Sequence, residues 1–131
     1  MPSTRIIIVE DDELTRETVR KALSKNKIDV LLVTQSVAEA IDFAKKNRPQ
    51  VAVIDFNLGS GPNGIDVAQA LRKFDPEIGI VLLTALLNPA KLPSMMAKLP
   101  KGSKYLIKQS VNDIDVLVTA IADAMNFDLS D

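Results

Sequence analysis

Cysteine and histidine are both absent from the 131 residues. Without cysteine there is no disulfide, no thiolate metal site and no cysteine nucleophile. Without histidine, His-ligated zinc, Ser-His-Asp chemistry and a self-supplied phosphohistidine are excluded as well. Aromatic residues make up only 4%, too few to sandwich a flavin ring. Long apolar runs are missing too. Ile6-Ile7-Ile8-Val9 is too short for a signal peptide or a membrane span, and an acidic cluster follows it at once. Neither sign of charge dominates: the net charge is −1, and no basic stripe offers an electrostatic footprint for nucleic acid. These absences lead us to expect a protein of a reducing, cytoplasmic setting, with no membrane contact and no direct nucleic-acid binding by this domain.

What is present is an ordinary globular composition, 47% apolar and 25% charged, on a chain long enough for one domain with a sizeable core. Short apolar runs alternate with helical stretches. Arg5 to Val9, Val30 to Thr34, Val51 to Ile54 and Ile80 to Leu83 have strand length, with Tyr105 to Ile107 as a shorter fifth. They lack period-two alternation, which suits strands buried on both faces. Between them lie amphipathic segments. The first places Leu14, Val19, Ala22 and Leu23 on one face. The second opens on the capping-box pair Ser36 and Glu39 and turns Val37, Ala40, Ile41 and Ala44 inward. The third uses Ile65, Ala68, Leu71 and Phe74. The last uses Ile114, Leu117, Val118, Ile121 and Met125, with Ser110 or Asn112 as its cap. Pro89, Pro93 and Pro100 interrupt the fourth crossover, so a short helix near Ser94 to Leu99 is expected there. Strands alternating with helices predict a parallel sheet covered on both faces, with right-handed crossovers.

In such sheets functional residues gather beyond the carboxyl ends of the strands. Strand one ends in Glu10-Asp11-Asp12, strand three in Asp55, strand four in Thr84 and strand five in Lys108. Each has an ordinary structural reading when taken alone. Asp12 and Glu13 suit a helix start, where acids favour the positive dipole end. It is the set, each member at the same kind of strand end, that points to a site. If strands one and three are neighbours, Glu10, Asp11 and Asp55 converge on one crevice. Carboxylates that close need a cation or raised pKa values. Hard oxygen donors without His or Cys suit Mg²⁺.

On these residues the chain resembles the receiver domain of bacterial two-component response regulators, over essentially its whole length. The matching residues are Glu10-Asp11, Asp55, Thr84-Ala85, Tyr105 and Lys108. The spacings are 44 from Asp11 to Asp55, 29 on to Thr84 and 24 on to Lys108. The resemblance implies that residues 1–131 form one receiver domain with an α/β, flavodoxin-like fold. Its five-stranded parallel sheet has order 2-1-3-4-5, with helices on both faces and the fourth helix short or irregular. It implies Asp55 as acceptor of a phosphoryl group from a sensor histidine kinase or phosphotransfer protein, with Thr84 and Lys108 contacting that group. It implies Mg²⁺ held by Glu10 through water, by Asp11 and Asp55 directly, and by the carbonyl of Asn57. Thr84 and Tyr105 are then the switch pair that carries the signal towards the face between the fourth strand and the fifth helix, where homodimers form in many receivers. Such a protein is no enzyme beyond promoting its own phosphorylation and dephosphorylation. Receivers often precede DNA-binding domains, so a longer parent transcriptional regulator fits the same resemblance.

The chain departs from the family pattern in three places. Gln109 stands where many receivers have proline, so a trans Lys108–Gln109 bond is expected. The loop Asn57 to Gly64 is one residue longer than is common, and its glycines read as a flexible turn rather than a phosphate cradle. The prolines of the fourth crossover alter the usual output surface. Leu86, two positions after Thr84, cannot orient an attacking water, which predicts a long-lived aspartyl phosphate. Two other readings compete with the switch. One is a receiver-like scaffold that binds proteins without phosphorylation. The other is a phosphohydrolase using Asp55 and Asn57, disfavoured because Asn57 has no carboxylic acid to donate a proton.

Overall fold

The computed structural model describes residues 4–58, 62–85, 90, 92–108 and 113–125. Five strands alternate with five helices: β1 (Thr4–Val9), α1 (Glu13–Ser24), β2 (Ile28–Thr34), α2 (Val37–Asn47), β3 (Val51–Asp55), α3 (Gly64–Phe74), β4 (Gly79–Thr84), α4 (Leu92–Lys98), β5 (Lys104–Ile107) and α5 (Ile114–Met125). The strands form one sheet in the order β2-β1-β3-β4-β5, every pairing parallel. This is the flavodoxin-like order, with β1 and β3 side by side.

The missing alternation in the apolar runs has a direct cause. Successive side chains of a strand point to opposite faces, and here both faces are covered. Ile6, Ile8, Val51, Val53, Val81 and Leu83 pack with Val19 and Leu23 of α1 and with Leu117 and Ile121 of α5. Ile7, Val9, Ala52, Ile54, Ile80 and Leu82 pack against α2, α3 and α4. The central strands β1, β3 and β4 are therefore buried almost throughout. The edge strands differ: most of β2 is only half-buried, and in β5 Tyr105 and Ile107 are exposed. The β1–β2 register shifts between Ile6 and Ile7, a local irregularity on the edge pairing.

Local chemistry explains where the helices begin. The carboxylate of Asp12 accepts the Thr15 N–H (2.8 Å) and the Thr15 hydroxyl (2.6 Å), capping α1 as its position suggested. The Ser36 hydroxyl accepts the Glu39 N–H at 3.1 Å. The reciprocal bond from the Glu39 side chain, which a full capping box requires, is absent among the described residues. A complete box closes instead at α3, between Asn63 and Asp66. Ser110 and Asn112 lie outside the described residues. Asp113 receives amides of the first turn of α5, on its carbonyl from Val116 and on its carboxylate from Asp115.

Leu14 is a correction. The helical spacing turned it inward with Val19 and Leu23, yet it is 75% exposed. It belongs to the first turn of α1, at the carboxyl edge of the sheet, and only the later turns of the helix lie over a strand face. The fourth crossover follows its prolines. Pro93 falls in the first turn of α4, where a missing N–H costs nothing, and Pro100 follows the helix end. Among the described side chains, Met95 and Leu99 anchor this segment in the core, with Met96 partly buried against it. Two side chains of α3 add to that anchor: Gln69 donates to the Lys98 carbonyl (2.7 Å) and Arg72 to the Lys101 carbonyl (2.7 Å).

Candidate functional site

The carboxyl ends of β1, β3, β4 and β5 meet in a cavity of about 290 Å³, lined by Asp11, Asp12, Asp55, Asn57, Thr84 and Lys108 among others. This is the topological switch point, where the chain leaves β1 for one side of the sheet and β3 for the other. Asp55 closes β3 and is 3% exposed. Its Oδ2 accepts a hydrogen bond from Lys108 Nζ at 3.1 Å, and its Oδ1 accepts the Asn57 N–H at 3.3 Å.

Lys108 also donates to Glu10 Oε1 at 2.7 Å, so one ammonium bridges two acids that the sequence separates widely. Glu10 sits deeper than the sequence reading placed it. It is 1% exposed and is not among the residues that line the cavity. Its Oε1 accepts the Asp12 N–H as well (3.1 Å), while Oε2 is buried with no hydrogen-bond partner. Burial pushes the Glu10 carboxyl up to about 7. The Lys108 and Asp12 hydrogen bonds pull the other way, and the nearby Asp55 adds to the rise. Burial works against the Lys108 ammonium too, but its bonds to Glu10 and Asp55 outweigh that cost and hold it above the ordinary lysine value. Asp12 is held below the usual carboxylate range, chiefly by the Thr15 hydroxyl.

Asp11 and Asn57 are exposed on the cavity wall, and Thr84 is buried at its edge, its hydroxyl donating to the Ala85 carbonyl at 3.3 Å. The structure thus gathers Glu10, Asp11, Asp55, Asn57, Thr84 and Lys108 at one end of the sheet. Tyr105 stands apart. It pairs with Leu82 in β5, one pleat repeat back from Thr84, and lines a larger, mostly apolar cavity of about 640 Å³ between β5 and α5. That cavity shares no lining residue with the one at the strand ends, so size alone would not find the place where Glu10, Asp55 and Lys108 meet. Leu86 and Gln109, with the Lys108–Gln109 bond and the loop residues 59–61, lie outside the described residues.

Two supporting residues escaped the sequence reading. Gly64 is no flexible turn residue. It opens α3, and a Cβ there would collide with the Asp55 carbonyl and come within 2.8 Å of Leu82 Cδ1. Its N–H bonds the Phe56 carbonyl at 2.8 Å, so glycine lets α3 start hard against the end of β3. Arg16, one turn into α1, reaches back under the acidic loop. Its Nη1 donates to the carbonyls of Glu10 (2.9 Å) and Asp11 (3.2 Å). A basic residue one turn after three acids was the available signal.

The donor chemistry suits a hard divalent cation. The carboxylates of Asp11 and Asp55 face the cavity, the buried Glu10 Oε2 is unsatisfied, and no nitrogen or sulfur ligand is present. Among the described residues, though, no three acids stand gathered as a ready metal cluster, and Lys108 holds the space between Glu10 and Asp55.

An open parallel α/β domain with acids and a lysine gathered at its switch point belongs to the class of doubly wound domains that bind ligands beyond the strand ends. Comparison with known proteins narrows this. Residues 6–122 match the response regulator receiver domain, and the chain belongs to that family. It is 37% identical over 81 residues to the response regulator MprA of Mycobacterium sp. (strain KMS), covering 62% of this chain and 34% of that protein. It is 40% identical over 79 residues to the photosynthetic apparatus regulatory protein RegA of Cereibacter sphaeroides, covering 60% and 42%. The chain therefore matches well under half the length of these relatives. Among solved structures, the signal receiver domain of a modulated diguanylate cyclase from Desulfovibrio desulfuricans G20 superposes with a TM-score of 0.79 at 27% identity, covering 94% of each chain. The response regulator domain of Thermotoga maritima CheB gives 0.79 at 19% identity, over 96% and 98%, a likeness of fold. No helix among the described residues is long and apolar enough to cross a membrane.

Proposed function

We propose that residues 1–131 act as one receiver domain in which Asp55 accepts a phosphoryl group from the phosphohistidine of a sensor kinase or phosphotransfer protein in the cytoplasm. The observation that carries this is the Lys108 ammonium, held at 3.1 Å from a buried Asp55 carboxylate on the wall of an anion-sized cavity. In the transfer, an Asp55 carboxylate oxygen forms the P–O bond as the donor's P–N bond breaks, and the leaving imidazole keeps its electron pair and takes up a proton. Lys108 faces the equatorial oxygens and offsets their charge beside the buried Asp55 carboxylate. Thr84, one strand over, donates its hydroxyl to a phosphoryl oxygen once Asp55 is modified, giving up the Ala85 carbonyl. Asp11, Asp55 and the Asn57 carbonyl would hold Mg²⁺, with Glu10 behind them through water. When bound, the ion supplies charge neutralisation between acceptor and donor.

The change at Thr84 reaches the output face through β4 and β5, where Tyr105 lines the apolar cavity against α5. Leu86 in place of a water-orienting side chain makes the aspartyl phosphate long-lived. The output belongs to the parent protein. Membership of the response regulator family, which includes a DNA-binding response regulator from Staphylococcus aureus, is compatible with a DNA-binding partner domain in a longer chain, and pairing of two receivers is compatible with the exposed β5–α5 face.

Incubation with Mg²⁺ and a small acyl phosphate, read by intact mass, tests the reading. One added phosphoryl group is expected on the wild type and none on Asp55→Ala. An unmodified wild type would leave the scaffold reading in its place.

A further inference from the structure

We infer that Arg16 is a positioning residue of the crevice: its guanidinium fixes the backbone from which Asp11 is presented to a divalent cation. The inference rests on the reading of the crevice as a Mg²⁺-dependent phosphoacceptor site. Arg16 Nη1 lies 2.9 Å from the Glu10 carbonyl oxygen and 3.2 Å from that of Asp11, and 3.5 Å from Gln35 Oε1 just past the end of β2. These two carbonyls belong to the two peptide planes that flank the Asp11 Cα. Each plane is rigid, so fixing both carbonyls fixes the direction in which the Asp11 side chain leaves the chain. The plane before Asp11 has no other tie among the described residues, whereas the plane after it is also held through the Asp12 N–H on Glu10 Oε1; the Asp11 carboxylate has no hydrogen bond among the described residues, and the residue is exposed.

The neighbouring constraints miss the peptide between Glu10 and Asp11. Glu10 is tied by its N–H to the Thr34 carbonyl (2.9 Å), and Asp12 by its N–H to Glu10 Oε1 (3.1 Å) and by its cap on Thr15. Arg16 spans the gap between them. A guanidinium suits the task because it is always charged, is planar, and has no acceptor that could compete for a metal. Gln35 gives it a second foothold just past the edge strand, so the acidic loop is braced against both α1 and the turn after β2.

The inference makes a prediction of opposite sign to simple electrostatics. A cation beside a cation site repels the ion, so removing the Arg16 charge would by Coulomb's law alone tighten Mg²⁺ binding. If Arg16 positions Asp11, its removal loosens the loop and weakens binding despite the lost repulsion. Outer partners of metal ligands typically carry a factor of about ten or more in affinity.

Titration calorimetry with Mg²⁺ on the full chain, and amide exchange of Asp12 in metal-free protein, decide the question. Arg16→Ala is expected to bind Mg²⁺ about tenfold more weakly and to exchange the Asp12 amide faster. Arg16→Lys, which keeps the charge and can reach one carbonyl, recovers part of both. Should the alanine variant fail to fold, Arg16→Gln carries the same comparison. Mg²⁺ affinity unchanged or tightened in the neutral variant overturns the inference alone. A wild-type chain that binds no Mg²⁺ overturns it together with the proposed function.

Discussion

The two ends of the sheet are both polar, and they differ in how completely their acidic groups are satisfied. At the amino end, Arg5 donates to the carbonyls of Asn47 (3.0 Å) and Arg48 (2.9 Å), and its N–H is accepted by Gln50 Oε1 (2.9 Å). Gln50 Nε2 reaches the Met125 sulfur, and the Asp75 carboxylate accepts the Glu77 N–H. This clamp also holds Arg48 at φ 44°, a left-handed conformation that costs a non-glycine residue about 1–2 kcal/mol, at the point where α2 must stop before Pro49. At the carboxyl end, one ammonium serves two acids and a buried Glu10 oxygen has no partner. The amino end also has a cavity, of about 450 Å³. Polarity and space therefore do not distinguish the ends. Nor does an orphaned polar atom as such, since the neutral Ser103 hydroxyl before β5 is also buried without a partner; an unmet carboxylate oxygen does, because a charged group left unsatisfied in a fold is a cost that a ligand can relieve.

The sharpest way to break this contrast is to remove one cation from each end. Lys108→Ala is expected to slow adduct formation with an acyl phosphate by about 10²-fold, the scale of a lost charge-stabilising donor. Arg5→Ala should leave that rate within about twofold, since Arg5 meets only backbone. Equal losses in the two variants, followed by intact mass against time, would erase the distinction between the ends.

Glycines give the next largest effect. Gly79 starts β4 at the amino end, where a Cβ would lie 2.6 Å from the Ala124 carbonyl oxygen, and Gly64 makes a comparable collision beside Asp55. Alanine at either position should cost about 1–3 kcal/mol in urea unfolding through overpacking. Only Gly64→Ala should also slow phosphorylation, because the displaced neighbour is the carbonyl of Asp55, the proposed acceptor. A Gly79→Ala variant with an equally slowed site would show that strain spreads along the sheet instead of staying local.

Smaller, and opposite in sign between the ends, are the stability effects of single polar removals. Asp55→Asn lifts one of two like charges around Lys108 and should stabilise the metal-free fold by about 1 kcal/mol, as unmaking functional strain commonly does. Arg5→Ala should destabilise by about 1 kcal/mol through lost hydrogen bonds. Denaturant midpoints of the pair measure both, and an Asp55→Asn variant less stable than wild type would contradict the cost assigned to the carboxyl end.

The mildest test uses pH. The Glu10 carboxyl lies near 7 in the fold against an ordinary 4.5. Between those values the folded state holds more protons than the unfolded chain, so the contribution of this group to stability falls as pH rises through the window and is complete only below it. Urea unfolding across that range should show the decline in wild type, a flatter profile in Glu10→Gln, and a smaller decline with Mg²⁺ present. A wild-type profile that rises across the window would reverse the assignment.

Much of this was legible in the residue order. Ile6 to Val9 and Val51 to Ile54 announced two-faced strands because unbroken apolar runs of that length have nowhere else to go. The strand-end placement of Asp55, Thr84 and Lys108 announced that they would gather at one end of the sheet, as they do. Leu14 shows where periodicity fails: helical spacing says which residues share a side, but not whether a neighbour reaches the first turn to cover it. Gly64 shows the same for small residues. Its requirement is a close approach between α3 and the end of β3, which no local pattern encodes.

The sequence by itself determined the alternating elements, the parallel covered sheet and the set of polar residues at its carboxyl edge, because periodicity and turn chemistry act over a few residues at a time. Only the tertiary structure decided that Lys108 would bridge Glu10 and Asp55, that Glu10 would be buried behind the cavity, that Arg16 would brace the acidic loop, and that Tyr105 would face a separate apolar cavity. Those outcomes depend on which strands become neighbours and on how deeply each side chain is taken from water. Both are settled by packing across the whole chain.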